Sequence, residues 1–89
     1  MKKVINIIEK NIELSAEFSR YLFEHPDIEN NIPKDAEIVL LPEFDLELKE
    51  HNLKLGKKIE AEGGKVKYVI IKKLKPKILS RIDEIELSK

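Results

Sequence analysis

The sequence predicts an α/β protein in which a long N-terminal helix precedes one right-handed parallel βαβ unit, in the order α-β-α-β. Three observations predict this class. Residues 3–24 carry an uninterrupted helical periodicity. Residues 36–41 include four consecutive apolar residues, which is typical of a parallel strand buried on both faces. A second helical stretch over 46–62 ends at two glycines, and an apolar strand pattern follows over 65–74.

The N-terminal helix is apolar over more of its circumference than one packing contact requires. Its polar side chains fall within an arc of roughly 100°, and neither Gly nor Pro interrupts residues 3–24. A single contact needs an apolar stripe of only about 100°. We therefore expect the helix to pack against two surfaces: the protein's own sheet and a second copy of the chain in a homodimer. The second copy could contact either of two apolar ridges, and the candidate interface residues on them are Ile5, Ile8, Ile12, Leu14, Ser15, Phe18 and Ser19.

Ser15 and Ser19 lie inside this apolar arc. Their small side chains allow a neighbouring helix to approach, and their hydroxyls can bond to carbonyls of their own helix. No base lies beside them at a spacing typical of nucleophilic catalysis. We predict no catalytic residue here or elsewhere in the chain.

The crossover unit follows a polar connector over residues 26–35. Pro26 suits the first position of a short helical turn. Pro42 ends the first strand, and Asp45 is placed to cap the next helix. A strand, a helix and a second strand in sequence predict parallel strands joined by a right-handed crossover.

The crossover helix has a predicted core stripe formed by Leu48, Asn52, Leu55 and Ile59. Asn52 is the polar member of that stripe. A buried amide needs hydrogen-bond partners. We expect Asn52 to bond to backbone at the end of the first strand, or to its counterpart in another copy.

The C-terminal segment, residues 76–89, follows Pro76 and has a mixed pattern. Apolar spacing over 78–85 fits a short helix, whereas 85–87 alternate like a strand. We expect an irregular or extended arm, with the short helix as the alternative. Two strands leave two open edges, which invite pairing. The sheet is therefore expected to be completed by this arm or by dimerisation.

Length and composition predict a single domain over residues 1–89, with its core in 3–75 and the arm beyond. Cysteine is absent, so disulfides and thiolate metal sites are excluded. The first apolar run breaks at Glu9, and no stretch reaches the roughly 18 uncharged residues of a membrane span. We expect a cytoplasmic protein. Abundant Lys and Glu with no Gln or Thr are typical of hyperthermophile proteins, and also of low-GC genomes.

Charge is unevenly distributed although the formal net charge is zero. Residues 24–50 are strongly acidic, and residues 65–81 contain seven basic residues and no acid. The two segments can attract each other within the fold or between copies. Alternatively, the basic segment binds phosphate or nucleic acid. Zero net charge weakens the nucleic-acid alternative.

One candidate ligand site lies beyond the carboxyl ends of the strands, where open α/β sheets bind their ligands. This strand-end rim contains Glu43, Asp45, Lys72 and Lys73. Carboxylates beside lysines can perform acid–base chemistry or hold a phosphate. The rim lacks a glycine-rich phosphate loop. The simpler interpretation is a helix cap at Asp45 and solvated side chains elsewhere.

His25 and His51 adjoin acidic residues, and either group could bind a metal ion weakly. His25 is more simply explained as a helix C-terminal residue that the helix dipole favours. We therefore predict neither a metal site nor a cofactor.

Several short motifs together resemble a known family. The matching segments are Leu22–Pro26, Ile32-Pro33, Leu41–Asp45, Glu47-Leu48, Asn52-Leu53 and Val69–Leu74. In this order they are similar to a family of short prokaryotic proteins known only as a domain of unknown function. The resemblance covers about residues 14–75, leaves the C-terminal segment outside and implies the same fold. It transfers no activity and no site residues.

Three functions remain open from the sequence. The first is an oligomeric interaction or regulatory module without catalytic activity. The second is a phosphate- or nucleotide-binding protein, and potentially an enzyme, that uses the strand-end rim. The third is weak nucleic-acid binding through residues 65–81.

Overall fold

The computed structural model describes residues 2–76 and 80–88, with side chains from residue 5 onward. Its elements are α1 (Lys2–Glu24), α2 (Pro26–Asn30), β1 (Glu37–Pro42), α3 (Leu46–Ala61) and β2 (Val66–Ile71). The two strands are parallel neighbours, with Glu37 beside Val66 and Pro42 beside Ile71. The predicted α/β class with a long N-terminal helix and a parallel βαβ unit is confirmed.

The element boundaries follow local signals in the sequence. Pro26 opens α2, where its missing N–H costs no helical hydrogen bond. The Asp45 carboxylate accepts a 3.2 Å hydrogen bond from the Leu48 N–H and so caps α3. Gly63 ends the same helix at φ 91°, a left-handed conformation that favours glycine.

The core forms where α1 and α3 meet the sheet. Leu14, Leu40 and Leu48 are buried together, and a second set packs against them: Ile7, Phe18, Val69 and Ile71. The ridge of α1 that carries Leu14 therefore faces the protein's own sheet. Leu14 is only 4% exposed, which removes it from the predicted interface between copies. Phe18 is half-buried in the same cluster and leaves that interface with it.

The core stripe of α3 differs from the predicted one at its C-terminal end. Leu48, Asn52 and Gly56 are buried, whereas Leu55 is 48% exposed. The ring of Tyr68 lies against Gly56, where an added Cβ would come within 2.6 Å of a ring carbon. A residue without a side chain thus allows the aromatic ring of β2 to approach the helix backbone.

Asn52 holds together three elements of the fold. Its amide nitrogen donates to the Leu40 carbonyl at 2.9 Å and to the Asn11 side-chain oxygen at 2.9 Å. Asn11 donates back to the Asn52 oxygen at 3.0 Å. The predicted bond to strand backbone is confirmed, and the reciprocal partner on α1 is new. Every buried side-chain nitrogen and oxygen of the described residues has a hydrogen-bond partner.

The Leu40 carbonyl belongs to the edge of β1 that faces away from β2. The N–H groups of Glu37 and Glu43 bond to β2 at 2.9 Å each, at the carbonyls of Lys65 and Ile71. Backbone groups alternate in direction along a strand, so even-numbered residues of β1 point outward. Asn52 therefore satisfies one outward-facing carbonyl of this edge with its side-chain amide.

Residues 80–88 of the C-terminal arm lie in neither a helix nor a strand, and all are exposed. The predicted short helix does not occur in them, and residues 77–79 of that prediction lie outside the described residues. The sheet that the structure describes has two strands. The arm of one copy thus does not complete its own sheet.

Replacing Asn52 by leucine should destabilise the fold by about 2 kcal/mol, because the buried Leu40 carbonyl and the Asn11 amide both lose their partner. Asn11→Leu should cost less, since Asn52 keeps its bond to Leu40. Urea denaturation of both variants measures the difference. Equal losses in the free energy of unfolding for the two variants, or losses near zero, would contradict this role for the amide pair.

Candidate interaction surface

One side of α1 is apolar and faces away from the protein. We call it the outer α1 face and define it as Ile5, Ile8, Ile12, Ser15 and Ser19. Its isoleucines are 53%, 54% and 64% exposed in chain order. At 100° per residue the five residues span roughly 80° of the helix surface, enough for one helix contact. Five of the seven residues predicted for an interface between copies thus lie on one exposed surface.

The outer α1 face borders a shallow depression between two helices. The depression is lined from α1 by Ile7, Ile8, Asn11, Ile12 and Ser15, and from α3 by His51 and Leu55. Leu55, which the sequence predicts in the core, instead forms part of this exposed wall. The sequence alone does not indicate that α3 contributes to the surface.

A second shallow depression lies further along α1, lined by Ser19, Arg20, Phe23 and Glu24. Phe23 is 87% exposed. An exposed aromatic side chain extends the apolar surface towards the C-terminus of the helix. The outer α1 face therefore contributes residues to both depressions, Ser19 to this one and Ile8, Ile12 and Ser15 to the other.

The charged edge of the outer α1 face carries Glu9 and Arg20 at helical angles that differ by about 20°. Arg20 forms an exposed ion pair with Glu17, three residues earlier on the same helix. Such a pair contributes little in water. Arg20 is thus free to exchange Glu17 for an acidic partner on another molecule.

The strand-end rim does not form a convergent site. Glu43, Lys72 and Lys73 are exposed, and their side chains form neither a hydrogen bond nor an ion pair with the described residues. The Glu43 N–H bonds to the Ile71 carbonyl, so backbone pairing brings the ends of both strands to one rim. Neither shallow depression described above includes a residue of the rim.

Asp45 is already engaged within the fold. Its carboxylate caps α3 and forms a 3.1 Å ion pair with Lys10 of α1, with 23% of its side chain exposed. The hydrogen bond from the Leu48 N–H, followed by that from Lys10, lowers the pKa of Asp45 below its ordinary value of 3.8. The carboxylate therefore stabilises the helix start and the α1 contact.

The acidic and basic segments pair through β1 and β2, and an ion pair also joins them. Lys65 and Asp35 form an exposed 2.8 Å ion pair, which lowers the pKa of Asp35 and raises that of Lys65. This contact fits attraction between the segments within one copy. Lys67, Lys72, Lys73 and Lys75 remain exposed around β2.

His25 lies at the C-terminus of α1, where its Nδ1 is 2.9 Å from the Tyr21 carbonyl and its ring stacks on that of Tyr21. The centroids are 4.0 Å apart. This arrangement gives His25 a structural role at the helix end. His51 instead lies in the depression beside the outer α1 face.

Together, the fold and its surfaces define a small α/β protein built on one parallel βαβ unit, with an apolar helix face exposed to solvent. A family model matches residues 6–85, and the chain belongs to that family, the family of unknown function DUF5647. The match extends through residue 85, which corrects the expectation that the C-terminal segment lies outside the family. No curated protein and no solved structure matches the chain.

Membrane insertion of a helix is not indicated by the described residues. Among residues 2–76 and 80–88, no helix combines the length and the apolarity that a bilayer span requires.

Asp45→Ala should destabilise the protein by about 1–2 kcal/mol, because α3 loses its cap. Asp45→Asn should cost less, since asparagine caps equally well and only the Lys10 ion pair is lost. Urea denaturation at neutral pH measures both variants.

The pH dependence separates the two roles of Asp45. Its lowered pKa means that stabilisation by the carboxylate is present above the unfolded pKa and is lost as pH falls through the folded pKa, below 3.8. The gap between the original protein and Asp45→Asn should close over that range. A gap that persists at lower pH would contradict the ionic contribution.

Proposed function

We propose that the protein is a non-enzymatic interaction module that self-associates, two copies pairing through their outer α1 faces. The observation that carries the proposal is the row of exposed isoleucines on a helix whose neighbouring ridge already packs on its own core. Burying one such side chain contributes about 1.5–3 kcal/mol. A two-fold contact buries each isoleucine twice, so this surface has enough apolar side chains for a stable dimer.

The spacing of the face supports an antiparallel pair of helices. Extended by the half-buried Leu22, the ridge runs 5-8-12-15-19-22 in alternating steps of three and four, the spacing of a coiled-coil seam. This series is the same when read backwards. When two copies of α1 run in opposite directions, each ridge residue therefore lies level with a ridge residue of the partner copy. The two copies are then related by one two-fold axis near the middle of α1.

The sizes of the side chains also favour opposite directions. Large residues lie in the first half of the seam, and Ser15 and Ser19 lie in the second. An antiparallel pair sets Ile12 against Ser15 and Ile8 against Ser19 of the partner copy, so large side chains fill the space beside small ones. A parallel pair would set serine against serine and lose apolar contact over half of the seam.

Charges at the edge of the face fit the same arrangement. In an antiparallel pair each edge faces the same edge of the other copy. Glu9 then lies about 3 Å along the axis from the level of the partner copy's Arg20, within reach of an arginine side chain. The two-fold axis creates this attraction twice. In a parallel pair the same edges do not meet.

The shallow depression gives the second helix a place to pack. A helix on the outer α1 face would also contact Leu55 across the depression between α1 and α3. Burial in the dimer would cover Leu55, which is 48% exposed in the single copy. The contact thus involves both helices of each copy.

The alternative of a phosphate- or nucleotide-type ligand at the strand-end rim has less support. The Asp45 carboxylate is engaged by Leu48 and Lys10, and the remaining side chains of the rim lie exposed without a shared partner. Nucleic-acid binding through residues 65–81 has its exposed lysines in favour and zero net charge against it.

Introducing a charge into the seam should dissociate the dimer. Ile8→Glu and Ile12→Glu should each raise the dimer dissociation constant at least about a hundredfold, because each change removes two buried apolar side chains and buries two carboxylates. Light scattering after size exclusion at micromolar concentration measures the mass. Asn6→Glu is the matched control, since it places the same charge on the exposed polar side of α1.

An unchanged mass for both isoleucine variants would contradict the proposal. So would a monomeric mass for the unmodified protein at the same concentration. Circular dichroism of each variant checks that α1 is still helical.

The antiparallel register makes a separate prediction about charge. Arg20→Glu should weaken the dimer about threefold to tenfold, because two acidic edges then face each other. Glu9→Arg combined with Arg20→Glu should restore the affinity, since the attractive pairs re-form with reversed signs. Sedimentation measures both dissociation constants. A double variant as weak as the single one would rule out this register.

A further inference from the structure

We propose that the outer edge of β2 is a binding site for the C-terminal arm of a second copy, residues 82–88, which adds to the sheet as a third strand. This exchange uses a different surface from the outer α1 face and does not depend on helix pairing. It accounts for two exposed features that the proposed helix dimer leaves uncovered, the open edge of β2 and the apolar arm.

The outer edge of β2 presents a complete set of backbone groups for a strand. The carbonyls of Lys65 and Ile71 accept hydrogen bonds from β1, so odd-numbered residues face inward. The N–H and C=O groups of Val66, Tyr68 and Ile70 therefore point outward, and no described strand lies beside them. On the corresponding edge of β1, Asn52 already bonds the Leu40 carbonyl, whereas the outward backbone groups of β2 have no such partner among the described residues.

The side chains at this edge also leave apolar surface uncovered. Ile70 is 58% exposed, and Leu74 just beyond the strand is 48% exposed. An added strand would cover such side chains while it satisfies the backbone groups.

The arm has the properties of the missing strand. Ile82, Ile85 and Leu87 are 66%, 67% and 89% exposed, so the arm is not packed on its own copy. Ile85, Glu86 and Leu87 alternate apolar and charged side chains, as a strand with one covered face does. Its backbone lies in no helix that would compete with pairing.

Charge favours this arm as the occupant of the edge. The arm carries Asp83, Glu84 and Glu86, whereas lysines surround β2 at Lys65, Lys67, Lys72, Lys73 and Lys75. Acidic and basic side chains on neighbouring strands attract, and like charges would repel. A basic or neutral peptide would lack this attraction.

The connecting sequence favours a second copy over a fold back onto the same sheet. Hairpin loops usually contain 2–5 residues with Gly, Asn or Asp at the turn. The segment 72–81 is longer and contains none of these residues, and it includes Pro76, which favours extended backbone. The sequence of this connection is thus not that of a hairpin loop, and a second copy is the favoured source of the arm.

Cross-linking between single-cysteine variants tests the exchange, because the chain has no cysteine of its own. One full-length chain carries Ile70→Cys at the edge, and a second chain of different mass carries Ile85→Cys in the arm. The two are mixed and treated with a short bismaleimide. We expect a mixed dimer whose cross-linked peptide joins the edge to the arm.

Two controls make the result specific. Asn30→Cys replaces the edge variant and places the thiol on α2, outside the sheet. In the second control the arm chain also carries Glu84→Lys and Glu86→Lys. These charge reversals should lower the yield of mixed dimer roughly threefold or more.

Three outcomes would overturn the exchange. The first is a yield of mixed dimer no higher than that of the Asn30→Cys control. The second is a yield that does not respond to the charge reversals. The third comes from one chain that carries both Ile70→Cys and Ile85→Cys: a cross-link within that chain as the main product would mean that the arm folds back. The masses of the Ile8→Glu and Ile12→Glu variants test the helix dimer separately.

Discussion

The buried amide of Asn52 is the interaction on which the arrangement of the other elements depends. It joins α3 to the edge of β1 through the Leu40 carbonyl and to α1 through Asn11. A buried polar pair is costly unless each group is matched, so it discriminates strongly between helix orientations. Because Asn11 must face Asn52, α1 turns its ridge of Ile7, Leu14 and Phe18 towards the core. The isoleucines of the outer α1 face are thereby directed to solvent.

In this orientation a single copy leaves part of its apolar surface exposed to solvent. Its radius of gyration is 17.2 Å, whereas a compact chain of this length has about 12 Å. The sheet that the structure describes has two strands, and the long helix and the described part of the arm keep apolar side chains exposed. Helix pairing and arm exchange would each bury one of these surfaces, and both would use contacts between identical chains.

Much of the fold was predictable because its signals are local. Pro26, Asp45 and Gly63 mark element ends through backbone chemistry that depends on only a few neighbouring residues. The run Ile38–Leu41 predicted a buried parallel strand for the same reason. The choice between the two ridges of α1 was not predictable, since both are apolar and keep the same spacing. Tertiary contacts distinguish them, among them the bond between Asn11 and Asn52, which are 41 residues apart in sequence.

The candidate sites likewise combine features that local sequence predicts with features that depend on tertiary contacts. The parallel strands place four residues at one rim, as the sequence predicts: Glu43, Asp45, Lys72 and Lys73. The sequence could not show that Lys10 of α1 would form an ion pair with Asp45. The sequence left open which of the two ridges of α1 forms the interface, and the structure buries one ridge and exposes the other. On α3 the buried position is Gly56, against which Tyr68 packs, and Leu55 beside it is exposed. Each difference arises from a tertiary contact between residues distant in the chain.

The central claim is that two copies pair through antiparallel α1 helices, and a distance between copies tests it most directly. A spin label on Glu24→Cys, near the end of α1, can be measured by double electron–electron resonance. Antiparallel pairing about the middle of the seam predicts labels separated by roughly 30 Å or more. A distance under about 20 Å would indicate parallel helices, and the absence of any dipolar signal would indicate no dimer. Either result would contradict the account.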